Sequence, residues 1–252
     1  YEITTRLVGS EMCIRDSGES ARYENGGRLG YAVVAGGAGF QGIFRRFARS
    51  RRRFAAGGFM KIIGLTGAIG AGKSTCARMM EKYGCRVFDA DSRVHDLMEN
   101  DADLIKAFQS AHPFCVKNGK IDRSLLAKAA TNGQIDVRRL EKIIYPVLEK
   151  RRDGFIKENA GADFIVLDAP LLFEAGWNEI CDFVIAAAAP ETVLKERVMA
   201  REGMTARKYE KLTARQLDAK EKIKKADYVV DTSAGLSETE SELRKILLKE
   251  SV

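Results

Sequence analysis

The nine residues Gly67 to Thr75 read GAIGAGKST and satisfy G-x-x-x-x-G-K-[ST] at every fixed position. That spacing suits the holding of a polyphosphate. Glycines let the backbone turn tightly and present successive N–H groups to phosphate oxygens, and a helix beginning there points its positive end at the same anion. Gly67, Ala68, Ile69, Gly70, Ala71 and Gly72 would form the cradle, and Lys73 would bridge the terminal phosphates. Ser74 would ligate Mg²⁺, with Thr75 beside it in the first helical turn. A second group follows in VFDADSRVH (Val87 to His95), where Asp89 and Asp91 stand two residues apart. At strand spacing both carboxylates point to the same side, at the strand end where α/β ligand crevices lie. A carboxylate there can accept the proton of an attacking hydroxyl or help to hold Mg²⁺; such a pair can equally cap a helix or a turn. Asp168 closes the apolar run FIVL and Pro170 stops it. It reads either as an aspartate that holds Mg²⁺ through water or as a turn cap.

These groups need an α/β frame. From Met60 onward short apolar runs alternate with helical patterns, which predicts a parallel sheet with helices on both faces. The expected strands are Lys61 to Thr66, Arg86 to Ala90, Phe164 to Asp168, Phe183 to Ala187 and Tyr228 to Val230. Between the second and third lie some seventy residues with helical periodicity and no strand signal, including Arg123 to Ala130 and Arg138 to Arg152. That is too long for a simple crossover and reads as a helical insertion. After the fourth strand, Glu191 to Lys225 is charged and helical, with Arg197, Arg201, Arg207 and Arg215 recurring along it. On charge pattern alone it is a solvated helix pair or a lid that carries arginines towards phosphates.

The first 59 residues are of another kind. They hold ten Arg, no Lys and five acids, so +5 of the net charge of +7 resides there, together with 11 of the 23 glycines. No amphipathic period survives, and Leu7 to Ser17, LVGSEMCIRDS, resembles a peptide made by translating sequencing-adapter DNA. The segment is expected to be disordered or artefactual, with Met60 the natural start. Its cluster RRFARSRRRF (Arg45 to Phe54) is the one feature that would suit nucleic acid or an anionic membrane. Five scattered cysteines without a Cys-x-x-Cys pair, two histidines and no bilayer-length apolar run point away from zinc and from the membrane. The expected compartment is a reducing cytoplasm. After Met60 there is no Asn-Lys-x-Asp and no Asp-x-x-Gly, which sets aside a GTPase switch.

In order and spacing, GAIGAGKST, DAD, NGKIDRSLLAK (Asn118 to Lys128), DAPLLFE (Asp168 to Glu174), RVMAREG (Arg197 to Gly203) and KKADYVVDTSAG (Lys224 to Gly235) resemble the dephospho-coenzyme A kinases over Met60 to Leu248. The resemblance implies a P-loop NTPase-type three-layer fold with a parallel five-stranded sheet. Its nucleotide core would comprise residues 60–92, 160–192 and 226–252, with a helical insertion for the coenzyme A precursor at 93–159 and a helical lid at 193–225. It further implies that ATP, with Mg²⁺, donates its γ-phosphoryl to the ribose 3′-hydroxyl of dephospho-coenzyme A. On this reading Asp91 is the general base with Asp89 its neighbour, and Lys73, Arg197 and Arg201 neutralise charge in the transition state. Arg123, Leu172, Phe173 and Glu174 contact the acceptor, and Ser74 and Asp168 serve the metal. Members of the family usually carry His where this chain has Tyr145, before Pro146. The expected partner is a small molecule, with neither a membrane nor nucleic acid expected. Two other functions stay open: a nucleoside or nucleoside-monophosphate kinase, and a nucleotide-dependent nucleic-acid binder gripping through its arginine cluster.

Overall fold

The run KIIGLTG forms β1 (Lys61–Gly67), almost wholly buried, as a central parallel strand covered on both faces must be. In the computed structural model, which describes residues 60–202, 204–213 and 217–251, the cradle leads from β1 into α1 (Lys73–Lys82). The chain then returns through β2 (Arg86–Asp89) to α2 (Ala90–Asn100) and α3 (Ala102–Ala111). A small hairpin, β3 (Val116–Lys117) and β4 (Lys120–Ile121), precedes α4 (Arg123–Thr131) and α5 (Val137–Glu158). β5 (Phe164–Asp168) and β6 (Phe183–Ala188) follow, then α6 (Glu191–Met199), α7 (Ala206–Thr213) and α8 (Ala219–Lys225). β7 (Tyr228–Asp231) and α9 (Leu236–Glu250) complete the chain.

The main sheet has five strands in the order β2-β5-β1-β6-β7, and every pairing is parallel. The five expected strands are all present, with ends displaced by one residue at β1, β2, β6 and β7. Alternation along the strands divides the core into two layers. Ile63, Leu65, Phe164 and Val166 face Met80 of α1 and Leu243 of α9. Ile62, Phe88, Ile165 and Leu167 face the opposite layer, with Leu97 of α2, Leu126 of α4 and Leu148 of α5. Each fully buried side chain of this size contributes about 1.5–3 kcal/mol. The helices between β2 and β5 thus cover one face of the sheet, and that face needs the length of chain they occupy.

The hairpin corrects the expectation that no strand lies in that stretch. β3 and β4 pair antiparallel across Asn118-Gly119, which take φ of 50° and 72°. A two-residue hairpin turn with both central residues at positive φ favours this dipeptide. Among the described residues no helix is long and apolar enough to cross a membrane. The expectations for residues 1–59 and for Arg215 fall outside the described residues.

Candidate active site

The register of the sheet assembles the site. Asp168 is paired with Leu65 of β1 on one side and with Asp89 of β2 on the other. Side chains alternate along a strand, so Asp168 faces the same layer as Phe164 and Val166, the layer of α1. Lys73 opens α1, and its Nζ lies 2.5 Å from Asp168 Oδ1, with 14% and 3% of the two side chains exposed. In-register neighbours share a face, so Asp89 projects on that side too.

Asp91 is not part of the strand. β2 ends at Asp89, whose carboxylate accepts the Ser92 N–H at 3.0 Å and caps α2, which leaves Asp91 in the first helical turn. The same-side partner of Asp89 at strand spacing is therefore Asp168, across the ladder, and not Asp91. Asp91 instead borders a narrow pocket, open to solvent, whose walls include Tyr145, Leu148, Pro170, Leu171 and Trp177.

Burial works to lower the pKa of Lys73, but the charges of Asp168, Asp91 and Asp89 outweigh it and raise the ammonium above its ordinary value. Burial pushes the Asp168 carboxyl up, and the facing ammonium offsets only part of that. With Asp168 in contact and the charges of Asp91 and Asp89 adding to its attraction, Lys73 is the member of the pair that keeps its proton.

The cradle is fixed from behind. Gly70 and Gly72 take φ of 84° and 78°, a left-handed conformation open to glycine at little cost, and Gly72 stands at the N-cap of α1. A Cβ on Gly70 would lie 2.7 Å from the Leu194 carbonyl oxygen, so the turn and α6 meet backbone to backbone. Arg197 of α6 donates through Nη1 to the Gly70 carbonyl at 3.4 Å and to Thr232 Oγ1 at 3.0 Å, and through Nη2 to the Thr232 carbonyl at 2.7 Å. The Thr232 hydroxyl in turn donates to the Ala71 carbonyl at 2.9 Å. Thr232→Val, which keeps the shape and removes the hydroxyl, is expected to cost about 1–3 kcal/mol in chemical denaturation by leaving buried polar groups short of a partner.

The other predicted residues divide. Arg201 is exposed, with no side-chain partner among the described residues. Arg123, first residue of α4, holds its guanidinium against the His95 ring of α2. Burial, then the Arg123 charge, lowers the His95 pKa. Leu172 is fully buried in the core beside Gly64, so it packs the protein and lines no open cleft. The Phe173 ring has the Lys225 ammonium 5.8 Å from its centroid. Glu174 Oε1 accepts the Leu217 N–H at 3.1 Å and faces Lys222 Nζ at 3.2 Å. Lys222 and Thr232 escape sequence reasoning. Thr232 lies within the quoted DTSAG, but nothing marks it as a partner of the cradle; Lys222 sits in a lysine-rich helix whose charges read as solvated.

With this geometry in view, the sequence pattern of the dephospho-CoA kinase family matches residues 61–238. The chain belongs to the dephospho-CoA kinase family. A dephospho-CoA kinase of Rhodopseudomonas palustris is 42% identical over 190 residues, covering 75% of this chain and 94% of the relative. One of Nitrobacter winogradskyi is 40% identical with the same coverage. Among solved structures, a Thermus thermophilus protein is similar with a TM-score of 0.64 at 31% identity, over 76% of this chain and 98% of that one. A dephospho-CoA kinase from Campylobacter jejuni is similar with a TM-score of 0.57 at 26% identity, over 77% and 98%. Within the family frame, Lys73, Asp168, Asp89 and Asp91 form one electrostatic cluster, and Arg197 stands behind the cradle.

Proposed function

We propose that the chain transfers the γ-phosphoryl of ATP to the ribose 3′-hydroxyl of dephospho-coenzyme A, completing coenzyme A. The observation that carries this reading is a shared border. Asp91 lines the pocket beside Tyr145 and Trp177, and its charge acts on the ammonium of Lys73 at the head of the cradle. A mostly apolar cavity with two aromatic side chains, Tyr145 and Trp177, suits a heterocyclic base. A carboxylate at its edge suits the hydroxyl of the attached sugar.

Catalysis on this reading is positioning plus electrostatics. The backbone N–H groups from Gly67 to Ser74 hold the phosphates, and Lys73 leaves Asp168 to meet the terminal ones. Asp91 accepts the hydroxyl proton as the oxygen attacks in line. Arg197 keeps the cradle in shape, and Arg201, exposed nearby in sequence, is free to swing towards charge when α6 to α8 close over the nucleotide. Closure would keep water from becoming the acceptor.

Among the described residues no three His, Cys, Asp or Glu side chains converge into a metal cage. The oxygens of Ser74 and Asp168 fit a small hard cation that keeps most of its ligands as water and phosphate, which is the habit of Mg²⁺. Bound there, it would spread the negative charge of the β- and γ-phosphates. Residues 60–252 are the unit to which we assign the activity, and the free Cys76, Cys85, Cys115 and Cys181 suit a reducing cytoplasm.

The deciding experiment offers ATP with dephospho-coenzyme A, AMP, CMP or uridine and measures ADP formed. Turnover with dephospho-coenzyme A should exceed that with each other acceptor by at least ~10²-fold, the scale of discrimination available to a site built around its substrate's polar groups. Preference for a nucleoside or a nucleoside monophosphate would replace the proposal with that kinase class.

A further inference from the structure

Lys222 is 1% exposed, although its neighbours Lys220, Lys224 and Lys225 on and around α8 are all exposed. Its ammonium donates to the Pro170 carbonyl and pairs with Glu174 Oε1 at 3.2 Å. A methionine here would fill a similar volume without the desolvation a buried charge suffers, so stability alone does not account for the lysine.

The position of this ammonium is informative. Lys222 lines a small cleft together with Gly67 and Ala68 of the cradle. Pro170, whose carbonyl accepts from it, lines the pocket that Asp91 and Tyr145 border. Pro170 lies two residues beyond Asp168, and its carbonyl also accepts from Thr66 Oγ1 at 3.3 Å, on the fully buried residue just before the cradle. Glu174 ties the same turn to the start of α8 through the Leu217 N–H at 3.1 Å. One buried charge on α8 therefore touches both the cradle side and the acceptor side.

We propose that Lys222 is a positioning residue that couples occupancy of the phosphate cradle to the shape of the acceptor cavity. A buried ammonium cannot leave a carbonyl and a carboxylate without exposing unpaired charge, so a shift of α8 carries Pro170 and Glu174 with it. Movement of Pro170 moves a wall of the pocket that Asp91 also lines. Each ligand then favours the arrangement the other needs, and by linkage the effect is reciprocal. This inference rests on the proposed function for its choice of ligands.

The test is calorimetry of Mg²⁺·AMP-PNP binding with and without saturating dephospho-coenzyme A. In the wild type each ligand should tighten the other by about 5–20-fold. Lys222→Met and Glu174→Gln should reduce that factor to below about twofold, with the separate affinities within about threefold of wild type and kcat lowered more than KM. Lys222→Arg, which keeps the charge, should restore most of the coupling. Thermal melting identifies any single variant that fails to fold; the double variant Lys222→Met/Glu174→Gln, which leaves no unpaired buried charge, is then read in its place. Wild-type coupling that persists in these variants, or a wild type without coupling, overturns the inference. Transfer to dephospho-coenzyme A is measured on the same wild-type sample. Intact coupling without transfer overturns the functional reading alone, and intact transfer with unaltered coupling in the variants overturns this inference alone.

Discussion

Lys73→Ala is expected to lower kcat by ~10³-fold, about 4 kcal/mol of transition-state stabilisation, because the positive charge that meets the transferring phosphoryl is gone. Steady-state turnover with ATP and dephospho-coenzyme A measures it, and a loss below tenfold would remove Lys73 from the charge-neutralising role. The same substitution should disturb the ligand-free protein. Asp168 is 2% exposed, stands in register with Asp89 and has Lys73 as its ion-pair partner. Breaking a buried pair by removing one member costs about 3–5 kcal/mol when the survivor stays charged. It need not stay charged, and that gives the penalty a direction with pH. Burial already holds the Asp168 carboxyl above its ordinary value, and Lys73 is what opposes the rise. In the variant the folded-state pKa climbs further above the unfolded one, so the folded protein binds the proton more tightly. Stability then increases as pH falls through that interval. The melting-temperature deficit of Lys73→Ala against wild type should be larger at pH 8 than at pH 5. In the wild type, the raised pKa of Lys73 means that its stabilising contribution is complete below about 10.5 and is lost only as pH climbs through the folded-state value.

Asp91→Asn should lower kcat by about 10²–10⁴-fold, the span for removal of a general base, while nucleotide affinity changes little. Rapid-quench measurement of a single turnover isolates the chemical step from product release. The fold should tolerate the change: in the first turn of α2 the negative charge of Asp91 contributes about 0.3–1 kcal/mol through the helix dipole, beside its attraction for the Lys73 ammonium. Asp89 offers the contrast, since its carboxylate caps α2 through Ser92. Near-normal single-turnover rates in Asp91→Asn would transfer the base assignment elsewhere in the acidic cluster.

Much of the frame is legible in the chain because its signals are local. Apolar runs buried on both faces mark the strands, and the glycine pattern marks the turn into α1. Less legible is what depends on register. Asp89 and Asp168 are 79 residues apart, and only the pairing of β2 with β5 makes them neighbours; no window of sequence contains both. The alternation that correctly describes a strand misassigned Asp91, because Asp89 both ends β2 and caps α2, and the period changes at that residue. Leu172 and Glu174 stand in a segment that resembles the family's substrate region, yet one packs the core under Gly64 and the other clasps Lys222. Lys222 gives no local sign of burial, since its partners are a backbone carbonyl 52 residues away and a carboxylate on the same distant turn.

The ladder that sets Asp168 beside Asp89 also decides how the chain can fail. Sliding β5 by a single position along β1 would turn Asp168 to the opposite layer and drive Ile165 and Leu167 into the wrong core at the same time. A chain slipped in this way loses its sound interior and its acidic cluster together. Recovery of phosphotransfer during refolding from urea should therefore follow burial of the strands without delay, and inactive protein should be recognisable by its exposed hydrophobic surface.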